Sequence, residues 1–316
     1  MRMKVLAAEE ELPAERGSAV AIGVYDGLHC GHQWLLRRLR KLAGPGVLLT
    51  VVTFDPHPLQ LLRPVSAPRM LTDIDQRLEL LENMGIVDAC LVLNFDAARQ
   101  EQRAIGFIDD VVVGQLHARH VMVGSDFQFG RGREGDVALL SRAGAVRGFD
   151  VQPVPLLPIS SQAANVPCSS TYIRGLVARG QVEHAGRLLA RAHEVRGLVV
   201  GTSRPIGGRG TPTVVVRASR HAALPAEGSY AGTLITPDGR RRMAGVSVRQ
   251  GLTAHEQALL DVHVVGDVTS LIDQRVGVQL VRPIWASGRA DLIAEMSAQA
   301  EEIARASAVG GWAGAI

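Results

Sequence analysis

The sequence has few aromatic residues, and it lacks long apolar runs and long basic runs. Aromatic residues make up only 4% of the 316 residues, so the cores must be built mainly from Val, Leu, Ile and Ala. No apolar stretch approaches the length of about 18 residues that a membrane-spanning helix needs. No run of five Lys or Arg residues occurs and the formal charge is only +3, which argues against a nucleic-acid-binding arm.

Cysteine is also scarce, with Cys30, Cys90 and Cys168 scattered along the chain. They form neither a disulfide framework nor a CxxC pair. At the N-terminus, Glu9 and Glu10 occur before any signal-peptide core could form. We therefore expect a cytoplasmic protein with no nucleic-acid or membrane partner, and a homo-oligomer is compatible with the sequence. The length makes two domains the default expectation.

The first half of the chain alternates apolar strands with amphipathic helices. Strands are predicted at 19–24, 47–54, 89–93 and 120–123, and helices at 33–42, 72–84 and 102–116. Continuous apolar strands that alternate with helices are typical of a parallel sheet covered by helices. The predicted fold class is therefore α/β, and ligands of such sheets bind beyond the carboxyl ends of the strands.

The character of the sequence changes near residue 190. Helical segments at 172–177 and 182–191 precede a series of short β runs separated by Gly, Pro and Asp. These runs lie at 196–200, 213–217, 229–235, 242–248, 262–264 and 275–280. Such a pattern is typical of an antiparallel barrel or sandwich. A helix is predicted at 290–308, followed by a loose Gly/Ala tail at 309–316.

The strongest local motif lies between the first predicted strand and the first predicted helix, where residues 23–32 read GVYDGLHCGH. His29 and His32 are three residues apart, a spacing that puts both on one face of the first helical turn. Glycines and a helix N-terminus favour an anion, and imidazoles there can donate hydrogen bonds to phosphate oxygens. The alternative is a Gly-rich turn with two surface histidines. Zinc is disfavoured because no further Cys or His cluster follows at ligand spacing.

Together with this motif, four later segments resemble the bacterial bifunctional riboflavin kinase/FAD synthetase family, whose N-terminal module is an FMN adenylyltransferase. They read TFDPHP at 53–58, VGSDFQFG at 123–130, GREGD at 132–136 and CSSTYIR at 168–174, and Arg77 follows a Leu-Thr pair at 71–72. The resemblance covers residues 17–190. It implies a Rossmann-like nucleotidyltransferase domain over 1–190 and a small antiparallel β-barrel domain, similar to riboflavin kinase, over 191–308.

The resemblance also implies a reaction. The FMN phosphate would attack the α-phosphorus of ATP, giving FAD and pyrophosphate, with Mg²⁺ bridging phosphates rather than held in a cage of protein side chains. The implied catalytic residues are His29, His32 and Arg174. The implied nucleotide- and phosphate-binding residues are Gly23, Tyr25, Asp26, Gly27, Gly31, Asp126, Ser169, Ser170 and Thr171. The implied flavin-cleft residues are Phe54, Asp55, Pro56, His57 and Phe127.

Several of these residues also have simpler interpretations. The Asp-Pro-His segment at 55–57 is equally a plain turn, and Asp126 is equally a turn residue. Ser169, Ser170 and Thr171 can cap the helix that they precede, or contact triphosphate oxygens while Arg174 reaches the leaving pyrophosphate. Both roles are compatible with one another.

The C-terminal half departs from the family pattern. Residues 210–215 read GTPTVV where riboflavin kinases have Gly-x-Pro-Thr-Ala-Asn, so Val215 replaces a polar residue beside the nucleotide and its metal. The usual Asn-Pro-Thr-Phe segment near 248–253 is absent, and the Leu-Gly-Arg-Pro linker has become LARA at 189–192. Thr213 and Glu256, the counterpart of the general base, remain. Because the polar residue at 215 and the Asn-Pro-Thr-Phe segment are both missing, we expect a degenerate kinase domain.

Three alternatives stay open beside an FMN adenylyltransferase with a degenerate kinase. The enzyme could be fully bifunctional, it could adenylylate a different acceptor, or the protein could be a flavin-binding regulator. The intact set of His29, His32, Ser169, Thr171 and Arg174 weighs against a regulator, because a protein that only binds has no need of it.

Overall fold

The computed structural model describes residues 2–155, 157–161, 164–203, 212–249, 257–264 and 269–284. Glu256 and the predicted helix and tail at 290–316 lie outside these residues. The chain divides into two compact units: Met1–Pro68 with Ile74–Ser169, and Arg69–Asp73 with Ser170–Ile316. The domain boundary expected at residue 190 stays a prediction.

The first unit is built on a parallel sheet. Its strands are β1 Lys4–Leu6, β2 Ser18–Ile22, β3 Leu48–Asp55, β4 Ala89–Asn94, β5 Ala118–Gly124, β6 Gln128–Phe129, β7 Gly135–Asp136, β8 Asp150–Val154, β9 Pro158–Ser161 and β10 Ala164–Pro167. Six of them form the sheet in the order β1-β4-β3-β2-β5-β8, with every neighbouring pair parallel. The pairs β6–β7 and β9–β10 are small antiparallel ribbons. The Rossmann-like α/β prediction is confirmed.

Helices cover this sheet. They are α1 Cys30–Ala43, α2 Pro58–Leu62, α3 Ile74–Asn83, α4 Ala97–Glu101, α5 Ala104–Phe107 and α6 Val137–Arg147. The single helix predicted at 102–116 is instead the short α5 followed by a π-helical segment, Ile108–Gln115. The elements that the sequence does not predict are α2, α4, α6, β1, β8 and the four ribbon strands β6, β7, β9 and β10.

The sheet buries both of its faces, which explains the continuous apolar strands. Along β2, Ala19 and Ala21 belong to one core cluster, together with Leu36 of α1. Val20 and Ile22 belong to the cluster on the opposite face. These five side chains are 0–3% exposed, so the strand cannot alternate between apolar and polar residues.

The strand order reverses beside β2. β3 lies on one side of β2 and β5 on the other, so the sheet has its topological switch point between β2 and β5. Ligands of open α/β sheets bind outside the carboxyl ends of the strands at such a point. Because the three strands are parallel, the segments that follow β2, β3 and β5 leave the sheet at the same edge.

The second unit contains α7 Ser170–Ala178 and α8 Val182–Leu189, then β11 His193–Ser203, β12 Thr213–Ala218, β13 Gly228–Ile235, β14 Arg241–Arg249, β15 Leu259–Val264 and β16 Arg275–Ile284. The six strands close an antiparallel barrel in the order β11-β12-β15-β14-β13-β16. Its core cluster consists of Val, Leu and Ala residues with Tyr230. The predicted antiparallel barrel is confirmed, and its core is as poor in aromatic residues as the composition requires.

A short segment from the first half of the chain, Arg69–Asp73, belongs to the barrel unit. The Met70 N–H donates to the His221 carbonyl at 2.6 Å, and the Met70 carbonyl accepts from the Ala223 N–H at 2.7 Å. Asp73 forms an ion pair with Arg275 at 2.6 Å. Sequence patterns give no sign of these contacts because the partners are between about half and two thirds of the chain length apart.

Candidate active site

A tightly wound segment joins β2 to α1. Tyr25 (φ 55°) and Gly27 (φ 79°) both adopt left-handed backbone conformations around a 3₁₀ turn, Asp26–Leu28. Glycine takes this conformation without the steric cost that other residues meet. His29 then stands in an extended conformation as the N-cap of α1, which begins at Cys30. The strand–turn–helix context predicted for the GVYDGLHCGH motif is therefore present.

The two histidines of this motif lie against each other. The ring centroids of His29 and His32 are 3.6 Å apart, with the planes inclined by 21°, and the Tyr25 ring lies 4.9 Å from that of His32. A Cβ atom on Gly31 would lie 3.2 Å from Cε1 and Nδ1 of His29 and 3.6 Å from the Cys168 carbonyl oxygen. Glycine at position 31 thus allows the rings to stack.

His32 is held in its neutral form. Burial lowers its pKa well below the usual 6.5, and the positive charges of His29 and Arg77 act in the same direction. Its Nδ1 atom is buried and has no hydrogen-bond partner in the part of the chain described. A neutral imidazole has one N–H donor and one acceptor nitrogen, so a bound ligand can satisfy this atom.

Arg77 of α3 forms hydrogen bonds beside the same site, and the sequence motifs predict no role for it. The side chain is only 2% exposed, and its Nη1 donates to Thr53 Oγ1 at 2.9 Å and to the Phe54 carbonyl at 3.0 Å. Thr53 Oγ1 in turn donates to the Val24 carbonyl at 2.9 Å. This network connects the end of β3 to the segment after β2. An arginine at one position of an amphipathic helix carries no sequence signal of such burial.

Four of the five predicted flavin-cleft residues, Phe54, Asp55, Pro56 and His57, lie at the end of β3. Phe54 packs edge-to-face on Phe95, with centroids 6.1 Å apart, while Asp55 and Pro56 are exposed and joined by a cis peptide bond. His57 Nδ1 accepts from the Leu59 N–H at 3.0 Å and caps α2. This contact gives His57 a structural role as a helix cap, and its predicted role in the flavin cleft stays a prediction.

Asp126 and Phe127 follow β5, the other neighbour of β2. The Phe127 N–H donates to the Gly124 carbonyl at 3.0 Å, which closes a turn with an exposed Asp126 side chain. The Phe127 ring stacks on that of Phe129 at 5.2 Å, inclined by 16°. Asp126 thus lies at the same sheet edge as the histidine motif.

A thiol pair that the sequence does not reveal lies beside His29. The Sγ atoms of Cys30 and Cys168 are 3.0 Å apart, and Cys168 Sγ is 3.5 Å from His29 Nδ1. The hydrogen bond from Cys168 is the main factor that lowers the pKa of Cys30 to about 7. The same bond and burial raise the pKa of Cys168. Cys30 is therefore the more acidic thiol of the pair.

The remaining predicted phosphate-binding residues lie at the start of α7. Ser169 precedes the helix, Ser170 is its first residue, and Arg174 Nη2 donates to Thr171 Oγ1 at 3.1 Å. The structure thus brings Thr171 and Arg174 together one turn apart. These helix residues belong to the second unit, whereas Ser169 and the histidine motif belong to the first.

Within the barrel, Thr213 Oγ1 is hydrogen-bonded to His263 Nδ1 at 2.9 Å, and both side chains are buried. Across the described ranges, no group of three or more His, Cys, Asp or Glu side chains is arranged to hold a metal ion. None of the helices in those ranges is long and apolar enough to span a membrane.

Comparison with known proteins places this site in a family. The FAD synthetase family model matches residues 11–171, which include the GVYDGLHCGH motif, the segments at 53–58, 123–130 and 132–136, and the start of the segment at 168–174. The chain belongs to the FAD synthetase family. It is 33% identical over 269 residues to a bifunctional riboflavin kinase/FMN adenylyltransferase of Pseudomonas fluorescens, covering 84% of each chain. It is 32% identical over 292 residues to the Escherichia coli K12 protein of the same name, covering 90% of each.

A structural comparison agrees on the architecture of this FAD synthetase family member. A crystal structure titled macrolide-efflux protein, from Streptococcus pneumoniae, superposes with a TM-score of 0.73 over 95% of this chain and 97% of that one. At 23% identity this similarity supports the fold alone. Family membership confirms the prediction that the chain is an adenylyltransferase, and it leaves the regulator alternative without support.

Proposed function

We propose that the protein transfers AMP from ATP to FMN, forming FAD and pyrophosphate, and that its barrel domain phosphorylates riboflavin to FMN. The stacked His29–His32 pair at the start of α1, beside the topological switch point, is the observation that carries the first activity. The second activity is supported by relatives named for both reactions, whose similarity extends over 84–90% of the chain.

The chemistry proposed for the first site follows from the geometry of the α1 N-terminus. The first backbone N–H groups of a helix have no partner within the helix and favour an anion, here the ATP phosphates. His29 and His32 lie at this end and can donate N–H groups to phosphate oxygens. Such hydrogen bonds strengthen as charge develops in the transition state, while the FMN phosphate attacks the α-phosphorus and pyrophosphate leaves.

The other predicted residues have positioning roles in this proposal. Ser169, Ser170 and Thr171 bind the triphosphate, and Arg174 stabilises the charge on the leaving pyrophosphate. Phe54, Phe127 and the exposed Asp-Pro pair at 55–56 border the flavin. Mg²⁺ enters with ATP and neutralises phosphate charge when bound.

For the kinase, the fully bifunctional alternative is better supported than the degenerate domain expected from Val215. The relatives are named for both activities, and their alignments, of 269 and 292 residues, are long enough to extend from the first unit into the barrel. Val215 is half-buried on β12, in register with Asp261 of β15. Replacement of one polar side chain leaves water free to occupy its place. We therefore propose that the kinase is weakened rather than lost.

The test is incubation of the full chain with ATP, Mg²⁺ and either FMN or riboflavin, with the products resolved by chromatography. We expect FAD from FMN, and FMN followed by FAD from riboflavin. The His29→Ala/His32→Ala double variant should make FMN from riboflavin but almost no FAD, which separates the two sites. Absence of FAD with either substrate contradicts the adenylyltransferase proposal. FAD from FMN without any product from riboflavin contradicts the kinase proposal and restores the degenerate domain.

A further inference from the structure

Two thiols, Cys30 in the histidine motif and Cys168 just before α7, lie side by side and are not used by the adenylyltransferase mechanism. Cys30 is the first residue of α1 and lies between His29 and His32 in sequence, and it is partly exposed. Cys168 is buried, and its Sγ lies 3.0 Å from that of Cys30. A sulfur–sulfur bond is about 2.0 Å long, so a shift of about 1 Å joins the two atoms. The third cysteine, Cys90, is buried in the sheet core among apolar residues.

We propose that Cys30 and Cys168 form a peroxide-sensitive thiol pair, and that their reversible oxidation to a disulfide inactivates the neighbouring phosphate site. The effect on catalysis rests on the proposed adenylyltransferase function, whereas formation of the disulfide does not. The Cys30 pKa of about 7 gives a substantial thiolate fraction at neutral pH, and a helix N-terminus favours that anion.

The oxidation balances with hydrogen peroxide as the two-electron oxidant. The Cys30 thiolate attacks one peroxide oxygen, so an S–O bond forms, the O–O bond breaks, and the departing hydroxide takes a proton to leave as water. Cys168 then attacks the sulfenic sulfur, an S–S bond forms, the S–O bond breaks and a second water leaves. His29 Nδ1, 3.5 Å from Cys168 Sγ, is placed to accept the thiol proton. A dithiol reverses the reaction by thiol–disulfide exchange.

We expect disulfide formation to affect the residues next to the two cysteines. Cys30 is bonded to His29 and Gly31, and Gly31 has only 3.2 Å between its ideal Cβ position and the His29 ring. Cys168 is bonded to Ser169. We expect a shift of about 1 Å in this packed segment to displace His29 or the start of α1, and a misplacement of that size costs about 10²-fold in rate.

The experiment uses the reduced full chain, treated with a graded series of hydrogen peroxide and then denatured in a thiol-alkylating reagent. Peptide mass spectrometry identifies which cysteines are linked by a disulfide. ATP binding by calorimetry and FAD formation from FMN are measured on the same samples, before oxidation, after it, and after treatment with dithiothreitol. The variants are Cys30→Ser and Cys168→Ser, with Cys90→Ala as the matched thiol control.

We expect a Cys30–Cys168 peptide in the wild type and in Cys90→Ala, with FAD formation reduced about 10²-fold and restored by dithiothreitol. Cys30→Ser should form no link and keep its activity in peroxide. Cys168→Ser should accumulate a sulfenic acid at Cys30 that dimedone traps. If peroxide oxidises Cys30 but no linked peptide forms, the thiol pair is overturned. If the disulfide forms but ATP binding and FAD formation do not change, the inhibitory effect of the disulfide is overturned. A third outcome separates the two proposals. If the disulfide forms and weakens ATP binding, but the reduced protein makes no FAD either, the thiol pair is supported and the proposed function is contradicted.

Discussion

His29 and His32 stack with their ring centroids 3.6 Å apart, and this contact constrains the charge that the pair can carry. A positive charge on His29 disfavours one on His32, whose pKa burial already lowers. At neutral pH His32 is therefore a neutral hydrogen-bond donor rather than a cation. In the proposed mechanism, His32 contributes a hydrogen bond to phosphate and not a positive charge.

Loss of either imidazole should slow adenylyl transfer. We expect His29→Ala and His32→Ala each to reduce the rate of FAD formation by about 10²–10³-fold, the effect of removing one donor to developing negative charge. Steady-state assays with FMN and ATP measure this loss. The matched control is His117→Asn in the same unit, because His117 has a positive φ that Asn tolerates. Wild-type rates in both alanine variants would exclude the histidines from the mechanism.

His32 should not titrate in the range where an ordinary histidine does. Its pKa is lowered by burial and then by His29 and Arg77, so we expect its ring to stay neutral between about pH 8 and pH 6. The NMR chemical shifts of the histidine Cε1–H groups, assigned with His32→Gln, measure this directly. A His32 signal with a midpoint near or above pH 6.5 would contradict the prediction.

The lowered pKa of His32 also makes the stability of the protein depend on pH. The unfolded chain protonates His32 at its usual pKa, near 6.5, whereas the folded protein resists protonation until lower pH. The contribution of His32 to stability is therefore complete above about pH 6.5 and is lost as the pH falls towards the folded pKa. In urea unfolding, the stability difference between pH 7.5 and pH 5.5 should be smaller in His32→Gln than in the wild type. An equal difference in both proteins would contradict this assignment.

The main strands of both units could be predicted from the sequence because their apolar runs are long and bounded by turn residues. β1 has only three residues and β8 contains Pro153, so neither gives a clear strand pattern. α6 was not predicted because its apolar residues follow no regular helical spacing and it contains Gly144. The π-helical segment Ile108–Gln115 has an apolar pattern that ordinary helical periodicity does not distinguish.

In the site, contacts between residues close in sequence could be predicted, and contacts between residues far apart in sequence could not. The histidine spacing and its strand–helix context are local, and the structure places those side chains together. Arg77 contacts a residue 24 positions away, and Cys30 contacts one 138 positions away. No single-sequence pattern links such positions, so the buried arginine and the thiol pair emerge only from the fold.

A side chain at position 31 should disturb the stacked histidines. In Gly31→Ala the added Cβ would lie 3.2 Å from two atoms of the His29 ring, closer than most real contacts, so the ring must move. Because the ring has to move by only a few tenths of an ångström, we expect a loss in the rate of FAD formation smaller than the roughly 10²-fold cost of a 1 Å misplacement, with little change in the melting temperature. Gly106→Ala is the matched control, because its nearest neighbour lies at 3.8 Å, an ordinary contact distance. An active Gly31→Ala enzyme would show that the stacked geometry is not required.

Arg174 should require its guanidinium group, and not merely its charge. Arg174→Lys keeps the positive charge but loses the planar set of donors, one of which reaches Thr171 Oγ1 at 3.1 Å. We expect slower FAD formation or a higher KM for ATP, whereas Arg179→Lys, at an exposed position just beyond α7, should behave as the wild type. Kinetic constants for ATP that are identical in Arg174→Lys and the wild type would make Arg174 a structural residue.

Riboflavin phosphorylation should be limited by the side chain at position 215. Val215→Asn supplies an amide oxygen where the valine offers none, and the half-buried position on β12 allows the change without loss of the barrel. One hydrogen bond to a charged group is worth about 1.5–3 kcal/mol, so we expect FMN formation to rise at least about tenfold. FAD formation from FMN should not change. Val200→Asn, at a 39% exposed position of β11, is the matched control. An unchanged kinase rate in Val215→Asn would show that the valine does not weaken this activity.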